Sequence, residues 1–377
     1  MNLFKKLLPT KNGIVGSQKY CRATFCSILH SAVDHSVEVH SSDQEVVIAL
    51  GSNVGDRLNN FNQALQLMRK SGIHITRHGC LYETAPAYVT DQPQFLNSAV
   101  RAVTKLGPHE LLGVLKTIER NMGRSGGIRY GPRPIDLDIL FYGKYQIGSD
   151  ILTVPHERIW ERPFVMAPLM DLLGSVIDSD TVACWHSLST DSDGLFGLWE
   201  KLGGESLIGK EGMKRVLPIR NHLWEWSKKT SVMGILNLTP DSFSDGGVAS
   251  ELFSRVKDAE LSGVPAWRII LDPGIGFSKK TEHNLDILTG LPVIRSEIAK
   301  RSLAASHAPL LIGPSRKRFL GEICNRPAAG ERDPATIASV TAGIFGGANI
   351  VRVHNVRDNV DAVKVCDAML KERSIQL

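Results

Sequence analysis

Arg133-Pro134-Ile135-Asp136-Leu137-Asp138-Ile139 reads as a strand with carboxylates at i and i+2, so that both project from one face. The run stays apolar to Tyr142 and follows a loop rich in glycine and arginine. It closes a series of elements. Residues 46–50 form a short apolar strand ending at Gly51, and Leu58, Phe61, Leu65 and Met68 recur at helical spacing before Gly72. Two β-like runs follow, 73–82 and 96–104, then a helix with Leu111, Leu115, Ile118 and Met122 on one face. Strand, helix, strand, strand, helix, strand is the ferredoxin-like α+β order, with helices over one face of an antiparallel sheet. A first domain is predicted over 45–175.

The chain has 377 residues, which at roughly 100–200 per domain is enough for two domains and allows a third. Apolar residues at 42% with 22% charged exclude a disordered chain. No stretch approaches the roughly 20 apolar residues of a membrane span. Residues 1–33 hold Lys5, Lys6, Lys11, Lys19 and Arg22 and no Asp or Glu, so the formal net charge of +5 resides there. With Leu3, Phe4, Leu7 and Leu8 able to form an apolar face, residues 1–44 resemble an organelle transit peptide. The mitochondrial matrix is the predicted location, and a disordered tail on a cytosolic protein is the alternative. The neutral remainder gives no electrostatic reason to expect nucleic acid or an anionic membrane as partner. Cys21, Cys26, Cys80, Cys184, Cys324 and Cys366 lack C-x-x-C spacing, which predicts reduced thiols and no zinc site.

Two carboxylates this close repel, and raise each other's pKa unless a cation sits between them. Asp136 and Asp138 therefore suit Mg²⁺, which takes one or two carboxylates and completes its shell with water and substrate phosphates. The preceding loop offers Arg124, Arg129 and Arg133, planar bidentate donors of the kind polyphosphate binding calls for. A solvent-facing edge strand with a surface ion-pair cluster is the plain alternative. The loop Gly51-Ser52-Asn53-Val54-Gly55-Asp56 could hold an anion at a helix N-terminus, or merely cap that helix through Asn53 or Asp56. It is not a Walker A loop.

A longer pattern runs through the same domain: A-L-G-S-N-x-G-D at 49–56, Y-E-T-x-P at 82–86, D-Q-P-x-F-L-N at 91–97, G-R…R-Y-G-P-R-x-x-D-L-D-I-L at 123–140 and V-P-H-x-R-x-x-x-R-P-F at 154–164. In order and spacing, residues 46–172 resemble 6-hydroxymethyl-7,8-dihydropterin pyrophosphokinases. The resemblance implies that Asp136 and Asp138 hold two Mg²⁺ ions. It places Arg124, Arg129, Arg133, His156 and Arg162 along the phosphates and ribose of ATP, the co-substrate, with Glu119 on the adjoining helix. Phe95 and Phe164 would sandwich a pterin ring whose edge bonds to Thr84 and Asn97, although on the residues alone both phenylalanines read equally well as core. The implied chemistry is attack of the pterin hydroxymethyl oxygen on the β-phosphorus of ATP, with AMP leaving. Arg124, Arg129, Arg133, Asp136 and Asp138 would carry that catalysis.

Residues 176–229 are Ser/Asp-rich, then Gly-rich, then basic with Trp224 and Trp226, and predict a connector with some helix. From Val232, apolar strands at 232–237, 269–272, 309–312 and 349–353 alternate with helical segments, the pattern of a parallel sheet with crossover helices. Polar stretches follow these strands: 237–247, 272–279, Gly313-Pro314-Ser315-Arg316-Lys317, and Arg352 with His354. Strand C-termini are where parallel α/β folds put active sites. Turn and capping chemistry explains the Ser and Asp there but accounts less well for Lys279, Lys317 and Arg352.

N-L-T-P-D-S-F-S-D-G-G at 237–247 makes residues 231–370 resemble dihydropteroate synthases, and the tandem order resembles the bifunctional folate-synthesis family of plant mitochondria. The resemblance implies that Asn237 ligates one Mg²⁺ on a pterin diphosphate that Arg352 and His354 also hold. Asp272, Phe277 and Lys317 would contact the pterin, and Ser315 would sit near p-aminobenzoate. A (β/α)₈ barrel takes about 250 residues and rarely fewer than about 200, yet 147 remain from Ser231 to the end of the chain. About four of eight strand–helix units can be placed over 230–377, and one helix near 251–261 stands where four further units belong. The predicted fold is therefore an α+β ferredoxin-like domain followed by an α/β domain that is an incomplete TIM barrel, open at two strand edges. The expected function is an intact pyrophosphokinase with an impaired synthase. The alternative is a pyrophosphokinase alone, with a C-terminal scaffold that tethers it or forms a homodimer.

Overall fold

The computed structural model describes residues 43–375 apart from 125–130, 174–178, 189–193, 211, 220–221, 227–228, 235–247, 263, 278 and 301. Residues 1–42 of the expected leader, Arg129, Asn237 and the rest of the 237–247 motif thus lie outside the described residues, while Gln44, placed in the leader, opens the first strand. In the first half the elements are β1 (Gln44–Ser52), α1 (Arg57–Lys70), β2 (Ile73–His78), β3 (Leu81–Thr84), β4 (Phe95–Thr104), α2 (Pro108–Asn121), β5 (Asp136–Tyr142), the short pair β6 (Ile147–Gly148) and β7 (Thr153–Val154), and α3 (Pro163–Leu173). Strands β5, β1, β4 and β2 lie side by side in that order, all antiparallel, which is the ferredoxin-like arrangement. Helix α1 begins where the Asp56 carboxylate accepts the Asn59 N–H at 2.9 Å, satisfying an orphan donor of the first turn.

Helices cover both faces of this sheet, not the single face expected. Val46, Ile48 and Leu50 of β1 pack with α1 and α2, while Val47 packs with α3 on the other side. An unbroken apolar run such as 46–50 leaves no face for water, so the second layer is what that composition demands. The run 73–82 is also two strands, not one. Gly79 breaks it where a Cβ would come 2.8 Å from the Pro168 carbonyl, so only glycine lets α3 approach the sheet so closely.

The expected connector belongs to the first sheet as well. Helices α4 (Asp180–Ser187) and α5 (Gly194–Lys201) pack under α3, and β8 (Met213–Ile219) pairs antiparallel with β3, followed by β9 (His222–Trp224). Buried charge fixes the strand there. The Asp171 carboxylate accepts the Cys80 N–H at 2.9 Å and the Tyr82 hydroxyl at 2.8 Å. Arg215 of β8 donates to the Tyr82 oxygen at 3.1 Å and to Glu205 at 3.0 Å. A buried guanidinium needs such partners to offset its lost hydration.

The second half contains β10 (Ser231–Gly234), α6 (Val248–Leu261), α7 (Thr281–Thr289), α8 (Leu291–Ala299), α9 (Leu303–Ser306), β11 (Leu311–Ile312), α10 (Arg318–Cys324), α11 (Asp333–Phe345), β12 (Ile350–Val353) and α12 (Val356–Ile375). Strand β12 lies between β10 and β11, and both pairings are parallel. The strand expected at 269–272 shrinks to one parallel bridge, Leu271 to Leu310, on the far side of β11 from β12. The halves share core: Trp267 is 2% exposed and stands edge-on to Phe61 and His78 of the first half, with ring centroids 6.3 and 5.2 Å apart.

Candidate active site

The burial alternation of β5 turns Leu137 inward and leaves Asp136 and Asp138 half-buried on the opposite face. Cations from two directions meet them. Arg124, just past α2, reaches Asp136 Oδ1 at 2.6 Å and Glu119 Oε2 at 2.5 Å, and Arg133 reaches Asp136 Oδ2 at 2.9 Å. Burial alone would weaken the Arg124 cation, but Asp136 and Glu119 outweigh it and hold the guanidinium above its ordinary value. Glu119, 2% exposed, also accepts the Leu137 N–H at 2.7 Å, so α2 and β5 are tied together beneath the carboxylates. The Asp138 carboxyl is pushed up by burial first and by the Asp136 charge second. That strain is what a cation between the two would relieve, and two hard oxygen donors on one rigid strand fit Mg²⁺.

Every described residue that the sequence assigned to the pyrophosphokinase site lines one cavity of about 880 Å³: Thr84, Phe95, Asn97, Glu119, Arg124, Arg133, Asp136, Asp138, His156, Arg162 and Phe164. At one end Asn97 donates to the Thr84 hydroxyl at 2.7 Å. Gly51 belongs here because a Cβ would approach Asn97 Oδ1 to 3.1 Å. Phe95 and Phe164 are both half-buried, which an ordinary core phenylalanine is not. At the other end Arg162 donates to the Tyr88 hydroxyl at 2.9 Å and lies over the Tyr88 ring.

Sequence reasoning missed two contributors. Asn53, 2% exposed, does not cap α1, which Asp56 does. Its amide nitrogen donates to Gln92 Oε1 at 3.0 Å and the Pro93 carbonyl at 3.2 Å, and its oxygen accepts the Arg133 N–H at 2.9 Å. It stitches the 85–94 segment to the arginine loop. Lys116 lines the same cavity, and nothing in its helical spacing distinguishes it from a solvated lysine.

In the second half the assigned residues gather at strand ends in two pairs. Ser315, after β11, lies 2.9 Å from His354 Nδ1 after β12. The Lys317 ammonium sits 3.5 Å from the Phe277 ring centroid, a cation–π contact. Burial, then Arg352, lowers the pKa of Lys317. Asp272 turns its carboxylate onto the Gly274 N–H at 2.9 Å.

Residues 47–174 match the family model for 7,8-dihydro-6-hydroxymethylpterin-pyrophosphokinase, and residues 247–354 match the one for pterin binding enzymes. The mitochondrial folate synthesis bifunctional protein of Pisum sativum is 54% identical over 508 positions, covering 99% of each chain. This chain belongs to the family of folate synthesis bifunctional proteins. An Arabidopsis thaliana member, also named mitochondrial, is 51% identical and covers 94% of this chain. The Plasmodium falciparum HPPK-DHPS crystallised with pterin and p-hydroxybenzoate superposes with a TM-score of 0.64 at 15% identity, covering 88% of this chain and 99% of that one, which shows the shared fold. The pea match spans 508 positions against 377 residues here, so at least 131 of them have no counterpart in this family member.

Proposed function

We propose that this chain performs the pyrophosphokinase step of folate biosynthesis, passing a diphosphate from ATP to the hydroxymethyl group of 6-hydroxymethyl-7,8-dihydropterin. The observation that carries the reading is the convergence of Glu119, Arg124, Arg133, Asp136 and Asp138 with Phe95 and Phe164 on one cavity. Arg124, Arg133, His156 and Arg162, joined by Arg129, bind the nucleotide. To do so Arg124 and Arg133 exchange Asp136 for phosphate oxygens, one charge-assisted acceptor for another. Phe95 and Phe164 hold the pterin flat while Thr84 and Asn97 bond its edge. The hydroxymethyl oxygen then bonds to the β-phosphorus as the link to the α-phosphate breaks, AMP leaves and the hydroxyl proton passes to solvent. Mg²⁺ held by Asp136 and Asp138, two ions in this reading, supplies charge neutralisation at the phosphate oxygens. Positioning and fixed charge supply the rate, with no covalent intermediate. AMP release from ATP that depends on the pterin substrate is the expected result, and a chain that releases none would refute it.

The C-terminal half is read as an open segment of a synthase barrel with about four of its eight strands. The β10–β12–β11 order, the single Leu271 bridge and the unmatched positions support that reading. Asn237, with one Mg²⁺, and Asp272, Phe277, Ser315, Lys317, Arg352 and His354 would still face a pterin diphosphate. Condensation with p-aminobenzoate is impaired, because the strands that complete the substrate's enclosure are missing. A location in mitochondria is supported by the names of the pea and Arabidopsis relatives and by the acid-free basic leader.

A further inference from the structure

Lys116 belongs to none of the pyrophosphokinase motifs, yet it stands among the acids of the site. It lies on α2 one turn before Glu119, and its side chain is 40% exposed. Its ammonium is 2.9 Å from Glu119 Oε1, 3.2 Å from the Leu137 carbonyl and 3.8 Å from Asp138 Oδ1. The two carboxylates of β5 are therefore served differently. Asp136 has two guanidinium partners, whereas among the described residues Lys116 is the one cation within 4 Å of Asp138. The contact to Asp138 is also the longest of the three that Lys116 makes. If it breaks, Glu119 and the Leu137 carbonyl still hold the ammonium.

We propose that Lys116 is a positioning residue, an internal counter-ion that holds Asp138 in the nucleotide-free enzyme and gives it up when a divalent cation arrives. The inference rests on the pyrophosphokinase reading of the site. A lysine suits the task because its charge is compact and its stem flexible, whereas an arginine fork commits to a planar partner. While the ammonium stays, it repels an incoming dication, so the free site binds metal weakly. Nucleotide phosphates entering the cavity offset that repulsion, and metal and nucleotide then favour each other's binding. The same ammonium, released from Asp138, remains on the cavity wall beside the incoming phosphates.

The test is Mn²⁺ binding to the full chain, read from the spectroscopic signal of free Mn²⁺, with and without a non-hydrolysable ATP analogue. Without nucleotide, Lys116→Gln and Lys116→Met should each tighten Mn²⁺ binding by about tenfold, the scale of one nearby unit charge at a half-exposed site. Lys116→Arg, which keeps the charge, should stay within about twofold of the parent. With the analogue present the gain should shrink to about threefold or less, because phosphate already offsets the lysine. Lys116→Met retains the aliphatic stem, so a folding defect confined to Lys116→Gln leaves the comparison standing. Equal Mn²⁺ affinity of parent and both neutral variants without nucleotide would overturn the proposal while leaving the pyrophosphokinase reading intact. A parent chain that binds no Mn²⁺ even with the analogue would overturn both.

Discussion

The two halves carry their polar groups at comparable places but support them in different ways. In the first, β1 is paired along both edges and buried on both faces. Asp136, Glu119, Arg124 and Arg133 are cross-linked from two elements and a loop. In the second, among the described residues, only β12 is paired along both edges by full strands, and β11 has a single bridge on its outer side. Among the described residues, most of the large apolar side chains left exposed lie here, among them Met233, Leu261, Ile270 and Val293. A polar constellation becomes a site when the surrounding wall fixes it. The first half has that wall; in the proposed reading the second keeps constellation residues without all of it.

Asp136→Ala would break the stronger side of this contrast. In the proposed mechanism it removes a metal ligand, and it takes from Arg133 its ion pair and from Arg124 one of two, so AMP release should fall by about a thousandfold or more. The thermal transition should hardly move. A variant still releasing AMP at the parental rate would mean that the cation is held elsewhere.

Trp267→Ala probes how far the halves depend on each other. The indole comes from the second half but fills core of the first, so truncation should cost roughly 3–5 kcal/mol. Denaturant unfolding should separate into two transitions. A single unshifted transition would show that the halves do not share stability through this residue.

Glu260 on α6 gives a pH-dependent version of the same test. Burial pushes its carboxyl from 4.5 up to about 7, against the opposing Arg77 charge. The folded state thus holds a proton that the unfolded state has already released. This contribution is fully present below pH 4.5, is lost as pH rises to about 7, and amounts to at most about 3–4 kcal/mol. Glu260→Gln should flatten stability against pH over that window. A slope unchanged by the substitution would assign it to another group.

Asn53→Ala should have the smallest effect, about 1–2 kcal/mol for the lost bonds to Gln92, Pro93 and Arg133. The expected signature is a raised KM with little change in kcat, because the residue orders the cavity's rim and touches no reacting group in the proposed mechanism. An effect on kcat alone would place it nearer the chemistry.

The contrast between the halves also explains what the sequence made legible. The i, i+2 carboxylates of β5 and the periodic apolar faces of α1 and α2 are local signals, and both the strand and the helices formed where they point. Pairing of β8 with β3 depends on Arg215 meeting Tyr82 and Asp171, residues far apart in the chain, so no window around 213–219 reveals it. The break at Gly79 is set by the approach of Pro168 and is equally invisible in a run that alternates like one strand. Asn53 left a cap and an anion contact equally open, and Lys116 carried no signal, because each is a common residue in a common place. At 269–272 the apolar pattern of a strand is intact, but only Leu271 finds a partner, since a strand's pairing depends on its neighbours more than on its own residues.

The most direct test of the difference between the halves is one assay with two readouts on the purified chain. ATP and 6-hydroxymethyl-7,8-dihydropterin are supplied with Mg²⁺, AMP is measured, p-aminobenzoate is added, and dihydropteroate is measured. AMP at a rate comparable to a full-length relative, with dihydropteroate reduced by about a hundredfold or more, is the predicted result, on the scale of losing several transition-state contacts. Dihydropteroate formed as fast as by the full-length relative would contradict the reading of the second half as an open, impaired barrel.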